Sequence, residues 1–221
     1  MSKDSFKLSR RHMLKWSGVA ATVAVASGLL PNFGMSAALA ADLGEGDIGV
    51  LNYAYALEQL EAAFYTMVIK SPYSDMSADE KTVLTDIMDH EVAHRDFLKK
   101  ALGEKAIGDL EVDFSAVDFT KRDSVLGTAK VFEDLGVSAY NGAGHLIENP
   151  DYLLAAGKIV SVEARHAAVI RDLLSPDSVS PSGGDVIDKN GLDVSNTPAA
   201  VLKAAGPFIK TAFTAKSLVG A

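Results

Sequence analysis

The sequence contains no cysteine, so disulfide bonds, thiolate metal sites and cysteine nucleophiles are all excluded. Any metal that this chain binds must be held by oxygen and imidazole nitrogen, a donor set that suits iron, manganese or zinc. Basic residues are also fewer than acidic ones, since the sequence has 21 Lys and Arg and 29 Asp and Glu. Since phosphate backbones are bound by basic surfaces, we expect no nucleic-acid partner.

The sequence also has no apolar run long enough to span a bilayer. Its most apolar stretch, Trp16 to Leu30, has about fifteen residues, fewer than the roughly twenty that a spanning helix needs. It follows SRRHMLK (9–15) and precedes ALA (38–40), a small-x-small cleavage site, which together look like a twin-arginine export signal. We therefore predict that residues 1–40 are a cleaved signal peptide, that the twin-arginine translocase is a transient partner and that the mature protein is periplasmic or secreted.

The remaining chain has the composition of one soluble, acidic domain with an appendage. Residues 1–40 carry five basic residues and one acidic residue, so their removal leaves 16 basic against 28 acidic residues, a net charge of −12. Nearly half of all residues are apolar, 48%, as in globular proteins. We expect a bundle over residues 41–175, followed by a loop and short helical tail, residues 176–221, that packs on it.

Four long segments have apolar residues at the spacing of an α-helix, and sustained strand alternation is missing except for a short stretch after residue 105. Capping residues, prolines and glycines bound the predicted helices at Asp47–Lys70, Ser77–Gly103, Arg122–Asn141 and Pro150–Leu174. Gly136 inside the third helix costs about 1 kcal/mol relative to alanine. Short loops within each pair and a longer link between them predict an all-α, ferritin-like four-helix bundle with one long crossover between helices two and three. We expect further short helices at Pro198–Ala205 and Pro207–Lys216.

The second and fourth predicted helices each contain a Glu-x-x-His motif. Glu91 precedes His94, and Glu163 precedes His166. Three residues turn a helix by about 300°, so the two side chains of each motif lie on one face and can reach one ion. A single Glu-x-x-His motif is common on the surface of an acidic protein. Its repetition in a second helix is what indicates a metal site.

The first and third predicted helices each carry a glutamate and, seven residues later, a tyrosine. Glu58 is followed by Tyr65, and Glu133 by Tyr140, so each tyrosine lies on the same stripe as its glutamate. The two halves therefore repeat, with 33 and 30 residues between their glutamates. The tyrosines are core residues by default, or they hydrogen-bond the metal carboxylates or relay electrons.

This repeat matches the dimetal pattern of helical bundles, in which two helices give one glutamate each and two give Glu-x-x-His. Two divalent ions carry four positive charges, which four carboxylates balance, and the imidazoles add ligands without adding charge. We expect the six side chains to converge in the bundle interior around two ions about 3.5 to 4 Å apart. The predicted metal ligands are Glu58, Glu91, His94, Glu133, Glu163 and His166.

Other polar residues near these motifs receive surface interpretations. Glu61 follows Glu58 by one turn and is either an additional ligand, a partner of one, or, as we favour, a solvated or hairpin-facing glutamate. His90 lies about 100° around the helix from Glu91. His145 sits in a glycine-flanked loop, and Arg165 is expected to form an interhelical ion pair.

Three segments carry a specific family resemblance. The strings ALEQLEAAFY (56–65), EDLGVSAYNGA (133–143) and ENPDYLLAAGKIVSVEARHAAVIRDL (148–173) resemble the secreted ferritin-like domain family that includes plant and bacterial desiccation-related proteins. The wider likeness is to bacterioferritin, rubrerythrin and manganese catalase. This resemblance covers residues 47–174 and implies the ligand roles given above, with two iron or manganese ions as cofactor.

The resemblance implies a function in outline only. The leading expectation is a dimetal oxidoreductase that acts on peroxide or dioxygen, and the alternatives are a ferroxidase or iron-sequestering protein that takes Fe(II), and a non-catalytic stress-protective protein. A rubrerythrin-like peroxidase would need an external reductant, because the chain has no cysteine pairs for an electron-transfer module. Bacterioferritin has an acidic residue where this chain has His90, so the surroundings of its ligand histidine must differ. The sequence leaves open the choice of metal and the formation of a homo-oligomer.

Overall fold

The computed structural model describes residues 40–215 and residue 218. The predicted signal peptide lies outside the described residues, apart from Ala40. Within the described part, no helix has both the length and the apolarity that a membrane crossing demands.

The described residues form a bundle of four long helices with a short fifth helix, as the sequence predicts, and almost no sheet. Each long helix agrees with its predicted bounds to within two residues. A two-residue strand near each end of the described chain completes the fold. The helices are α1 (Gly46–Lys70), α2 (Ala78–Leu102), α3 (Arg122–Ala143), α4 (Pro150–Leu174) and α5 (Pro198–Ala205), and the strands are β1 (Ala41–Asp42) and β2 (Phe213–Thr214).

Local capping explains where the helices begin. The Ser77 hydroxyl accepts a hydrogen bond from the Glu80 amide at 3.1 Å, and the Glu80 carboxylate accepts one from the Ser77 amide at 3.2 Å. This capping box satisfies two amides that the first turn of α2 would leave without partners. Asn149 caps α4 through the amide of Asp151, and Pro150 takes the first helical position, where its missing N–H costs nothing.

Helix α1 has the most buried residues of the four long helices, and it holds the long crossover. It packs along α2, and α3 packs along α4, while α2 and α4 touch over only a few residues. The buried Asn52 donates to Lys105 O at 2.9 Å and accepts from the Ile107 amide at 2.9 Å. Two turns later, Gln59 accepts from the Leu110 amide at 2.9 Å. These amides supply the hydrogen bonds that the crossover backbone needs as it runs along the bundle.

An aromatic cluster joins α1 and α3 to the crossover. Phe64 of α1 packs against Phe114 and Phe119 of the crossover and Phe132 of α3, with ring centroids 5.1 to 5.8 Å apart. Phe208 stacks edge-on against Phe132 at 4.8 Å. The crossover and the C-terminal segment therefore contribute to one core with the helices.

The helix expected at Pro207–Lys216 is wrong over its described residues. That segment begins in a 3-10 turn, Gly206–Phe208, and continues into β2, which pairs in parallel with β1. The Ala41 amide donates to Ala212 O at 2.9 Å. Partners more than 160 residues away in the chain therefore satisfy this backbone, and helical spacing within the segment does not reveal them.

Candidate metal centre

The four long helices bring all six predicted ligands together in the bundle interior. Their ligand atoms form two overlapping groups, and within each group the atoms lie within 4.8 Å of one another. The first ligand group is Glu58, Glu91, His94 and Glu163, and the second is Glu91, Glu133, Glu163 and His166. Glu91 and Glu163 belong to both groups, so each could reach two ions.

Each histidine lies closest to the glutamate of the opposite Glu-x-x-His motif. His94 Nδ1 is 2.9 Å from Glu163 Oε1 and 3.5 Å from Glu91 Oε2 in its own helix. His166 Nδ1 is 2.7 Å from Glu91 Oε1 and 4.0 Å from Glu163 Oε2. The two motifs therefore face each other across the centre with local two-fold symmetry.

The remaining two glutamates complete the groups from the other pair of helices. Glu58 Oε2 lies 3.5 Å from His94 Nδ1, and Glu133 Oε2 lies 3.5 Å from His166 Nδ1. Each group thus takes its own glutamate and histidine and shares the other two carboxylates.

The centre is buried, and its inward-facing atoms lack hydrogen-bond partners. The four carboxylates are at most 1% exposed. Although nitrogen and oxygen atoms approach closely, eight buried side-chain atoms of these six residues make no contact with hydrogen-bond geometry. Burying so many polar atoms without partners is costly. Two cations would satisfy all of them, so the residues present fit a metal pair.

Two tyrosines orient Glu58 and Glu133, the two glutamates that belong to one ligand group each. The Tyr140 hydroxyl donates to Glu58 Oε1 at 2.6 Å, and the Tyr65 hydroxyl donates to Glu133 Oε1. The sequence places each tyrosine on the stripe of the glutamate in its own helix, whereas in the structure its partner is the glutamate of the other helix. In both glutamates the tyrosine holds Oε1 and leaves Oε2 facing the centre.

The carboxylates show opposite pKa shifts according to their neighbours. Burial raises the pKa of Glu58 to about 8, although the contact with His94 opposes it. Burial also raises the pKa of Glu163, and the negative charges of Glu91 and Glu58 raise it further. Burial likewise opposes ionisation of Glu91, but contacts with His166 and His94 outweigh it and hold its pKa at about 2. Glu91, which lies between both imidazoles, is therefore the most readily ionised of these carboxylates.

The imidazoles are held in the charged form by the carboxylates around them. Burial lowers the pKa of His94, but its contacts with Glu163 and Glu58 outweigh burial and raise that pKa to about 12. His166 follows the same pattern, and its contacts with Glu133 and Glu91 raise its pKa to about 10. Without metal, protons on the two imidazoles balance part of the negative charge of the carboxylates. Bound cations would replace these protons.

His90 is a neighbour of the centre that the surface interpretation missed. Its ring is exposed, yet His90 Nδ1 lies 3.0 Å from His166 Nε2, and the two rings stack with centroids 5.2 Å apart. His166 therefore presents Nδ1 to the carboxylates while its other nitrogen contacts His90. The sequence could have indicated this position, because His90 lies four residues before His94 and therefore on the same face of the helix.

Glu61 is buried, so the solvated or hairpin-facing interpretation is wrong. The residue is 3% exposed, and burial together with the charge of Glu163 raises its pKa. A Cβ on Gly136 of α3 would lie 3.1 Å from Glu61 Oε1 and 3.4 Å from Glu163 Oε2. The missing side chain at Gly136 therefore leaves the room that a further carboxylate needs. Glu61 follows Glu58 by three residues, and this spacing already indicated that the two side chains lie on the same face of α1.

The other surface interpretations have different outcomes. His145 is exposed, in a 3-10 turn after α3. Arg165 does not make the expected interhelical contact in the described part of the chain, and its guanidinium instead donates to Ser161 O one turn earlier at 3.0 Å. The buried arginine that joins helices is Arg171, which donates two hydrogen bonds of 2.7 Å to Asp134 of α3.

A surface cleft lies between α2 and α4 beside one of the ligand candidates. His94 lies in its wall with Phe97, Leu154 and Ile159, and the His94 side chain is 13% exposed. This α2–α4 cleft exists because these two helices touch over only a few residues. His94 is thus the member of the first ligand group that reaches the wall of this cleft.

Comparison with protein families agrees with this architecture. The sequence profile of the ferritin-like domain matches residues 46–176, which include α1 to α4 and all six ligand candidates. The chain belongs to the ferritin-like domain family. No curated protein matches it significantly. The family and the buried Glu and His cluster together fit a dimetal-carboxylate protein.

Proposed function

We propose that this ferritin-like protein is an exported dimetal oxidoreductase that acts on peroxide or dioxygen. The observation that carries the proposal is the sharing of Glu91 and Glu163 between two buried ligand groups. A site for one ion needs no such sharing, whereas two adjacent ions need ligands that reach both.

The donor set assigns each residue a place. Glu58 and His94 would hold one ion, Glu133 and His166 the other, and the shared carboxylates both. A bound iron or manganese pair supplies reversible changes of oxidation state. Peroxide dismutation is the simplest reaction, since one peroxide is reduced to two waters while a second is oxidised to dioxygen, and no further electron donor is needed.

The chain's own groups would position the ligands and admit substrate. Tyr140 and Tyr65 fix the outer oxygens of Glu58 and Glu133, so each carboxylate presents one oxygen to the centre. The α2–α4 cleft is apolar apart from a few residues, and it opens beside His94. Uncharged molecules as small as hydrogen peroxide could enter there without disturbing the bundle.

The test is oxygen evolution from hydrogen peroxide by protein purified from its native compartment. Glu133→Ala should lose most of the activity, and Glu104→Ala, an exposed glutamate after α2, should keep all of it. If Glu133→Ala retains more than half of the activity, the assignment is wrong. Elemental analysis of the same sample decides between iron and manganese.

The same preparation separates the alternative functions. Stoichiometric oxidation of Fe(II) without peroxide turnover would select a ferroxidase or iron-sequestering protein. Protein that contains no metal and keeps its melting temperature after chelation would instead indicate a non-catalytic stress-protective role, because a ligand that binds the folded state raises stability.

Export and family subtype are part of the proposal. The twin arginines at Arg10 and Arg11 and the segments that resemble secreted desiccation-related proteins support a periplasmic or secreted location. Replacing both arginines with lysine keeps the charge and removes the motif. We expect that double variant to remain in the cytoplasm on cell fractionation, whereas Lys3→Arg and Lys7→Arg together should not change the location.

A further inference from the structure

A largely apolar cavity lies beside the candidate metal centre. It has a volume of about 210 Å³ and is bounded by α1, α2, the end of α3 and the first half of α4. Its wall consists almost wholly of alkyl and aromatic groups, among them those of Leu57, Ala101, Ala155 and Ile159. Asp151 is the charged residue of this wall, and it is exposed.

The size and chemistry of the wall define the class of occupant. An apolar cavity of about 150 Å³ in another protein stays dry and binds benzene, so about 210 Å³ suits a bicyclic ring. The buried wall offers no charge to pair with an ion, and an unpaired charge would be expensive there. The occupant must therefore be small and uncharged.

Tyr53 is a residue of the cavity wall whose buried hydroxyl lacks a partner within the described part of the chain. The residue lines the cavity and is 1% exposed, and its hydroxyl has no hydrogen-bond partner among the described protein groups. Burial raises the pKa of Tyr53, so the hydroxyl keeps its proton at neutral pH. Tyr140 also lines the cavity, but its hydroxyl already donates to Glu58. A polar atom on the occupant would supply the partner that Tyr53 lacks.

We propose that this cavity, bounded by Tyr53, Leu57, Ala101 and Ala155, binds a small, uncharged, mostly apolar molecule that carries one hydroxyl or carbonyl group. The molecule is the size of a bicyclic aromatic ring, and its polar group hydrogen-bonds the Tyr53 hydroxyl, which a small shift of the Tyr53 side chain brings to the cavity surface. The wall contains none of the six candidate metal ligands, although Phe97, Asp151, Ala155 and Ile159 also line the α2–α4 cleft.

The test compares 2-naphthol with naphthalene, which has the same rings without the hydroxyl, in fluorescence titrations of the full chain. Both probes should bind the parent protein. Tyr53→Phe should weaken 2-naphthol binding roughly fivefold and leave naphthalene binding unchanged, because it removes one hydrogen bond and no apolar surface. Ala155→Leu and Ala101→Leu each fill the cavity and should abolish binding of both probes, whereas Ala116→Leu, at an exposed site in the crossover, should not.

Three results would overturn the proposal. Equal affinity of 2-naphthol for the parent and for Tyr53→Phe would remove the role of the hydroxyl. Unchanged binding in whichever filling variant retains its helical circular dichroism would place the probes elsewhere. Binding that appears only after residues 1–40 are removed would show that the chain's own N-terminal segment occupies the cavity. Repeating the titrations with Glu133→Ala separates this site from the metal centre, since that change should not alter probe binding.

Discussion

Gly136 offers a sharp test of the candidate metal centre. It lies in α3, where alanine should improve the helix by about 1 kcal/mol. A Cβ at this position would, however, lie 3.1 Å from Glu61 Oε1 and 3.4 Å from Glu163 Oε2. The substitution therefore increases helix propensity but forces the buried Glu61 carboxylate, which lies beside Glu163, to move.

We expect Gly136→Ala to raise the stability of the metal-free protein slightly and to lower its affinity for metal. At 3.1 Å the neighbour must move by a few tenths of an ångström, which the end of the Glu61 side chain can do. The free energy of unfolding without metal should therefore rise by less than 1 kcal/mol. Glu163 Oε2, at 3.4 Å, is in ordinary van der Waals contact and need not move, but the shift of Glu61 changes the electrostatic surroundings of Glu163, which belongs to both ligand groups. We expect metal affinity to fall about tenfold, which corresponds to about 1.4 kcal/mol.

Gly127 in the same helix provides the matched control. A Cβ there meets nothing within 4 Å. Gly127→Ala should raise the free energy of unfolding by about 1 kcal/mol both with and without metal and leave metal affinity unchanged. Thermal unfolding, with and without a chelator, and titration with Mn(II) measure both quantities. If Gly136→Ala and Gly127→Ala bind Mn(II) equally well, the position of Glu61 does not affect the ligand groups, and this reasoning is wrong.

Two further predictions concern the histidines. His90→Ala should weaken metal binding in the second ligand group about tenfold, because it removes the group that contacts the outer nitrogen of His166, and elemental analysis at limiting metal should show one ion lost before the other. Metal affinity should rise with pH over roughly pH 6 to 8. The carboxylates raise the pKa of His94 to about 12 and that of His166 to about 10, so both imidazoles carry a proton that binding must release. Calorimetry in two buffers of different ionisation enthalpy counts the released protons.

The long helices could be predicted because local chemistry determines their ends. The Ser77 capping box and the Asn149-Pro150 start of α4 lie where the sequence indicates. Both depend on residues within one helical turn. The segment after Pro207 could not be predicted in the same way, since its partner strand, Ala41–Asp42, lies at the other end of the described chain.

The candidate site was predictable in composition but not in its contacts. Helical spacing shows which side chains share a face, and it brought Glu58 and Tyr65 onto one stripe. It does not show which neighbouring helix that face meets, because this depends on how the helices rotate and cross. Tyr65 therefore reaches Glu133 of α3, and Glu58 receives its hydrogen bond from Tyr140.

The internal repeat explains why Glu61 is buried. Glu61 follows Glu58 by three residues, and the residue three after Glu133 is Gly136. The position that carries a carboxylate in one half is therefore vacant in the other, and the Glu61 side chain lies against that vacancy. Two glutamates at these positions would compete for one space and add a second like charge, so the departure from symmetry is what lets the further carboxylate fit.

A second departure from symmetry makes the two ligand groups unequal. His90 precedes Glu91 and contacts His166, whereas the matching residue before Glu163 is Val162, whose side chain cannot donate or accept a hydrogen bond. The His166 side chain is 5% exposed, and that of His94, in the α2–α4 cleft, is 13% exposed. The first ligand group is therefore the one open to solvent and the second the one held in place by an added contact. We accordingly expect small molecules to enter beside His94 and the more tightly positioned ligands to surround His166.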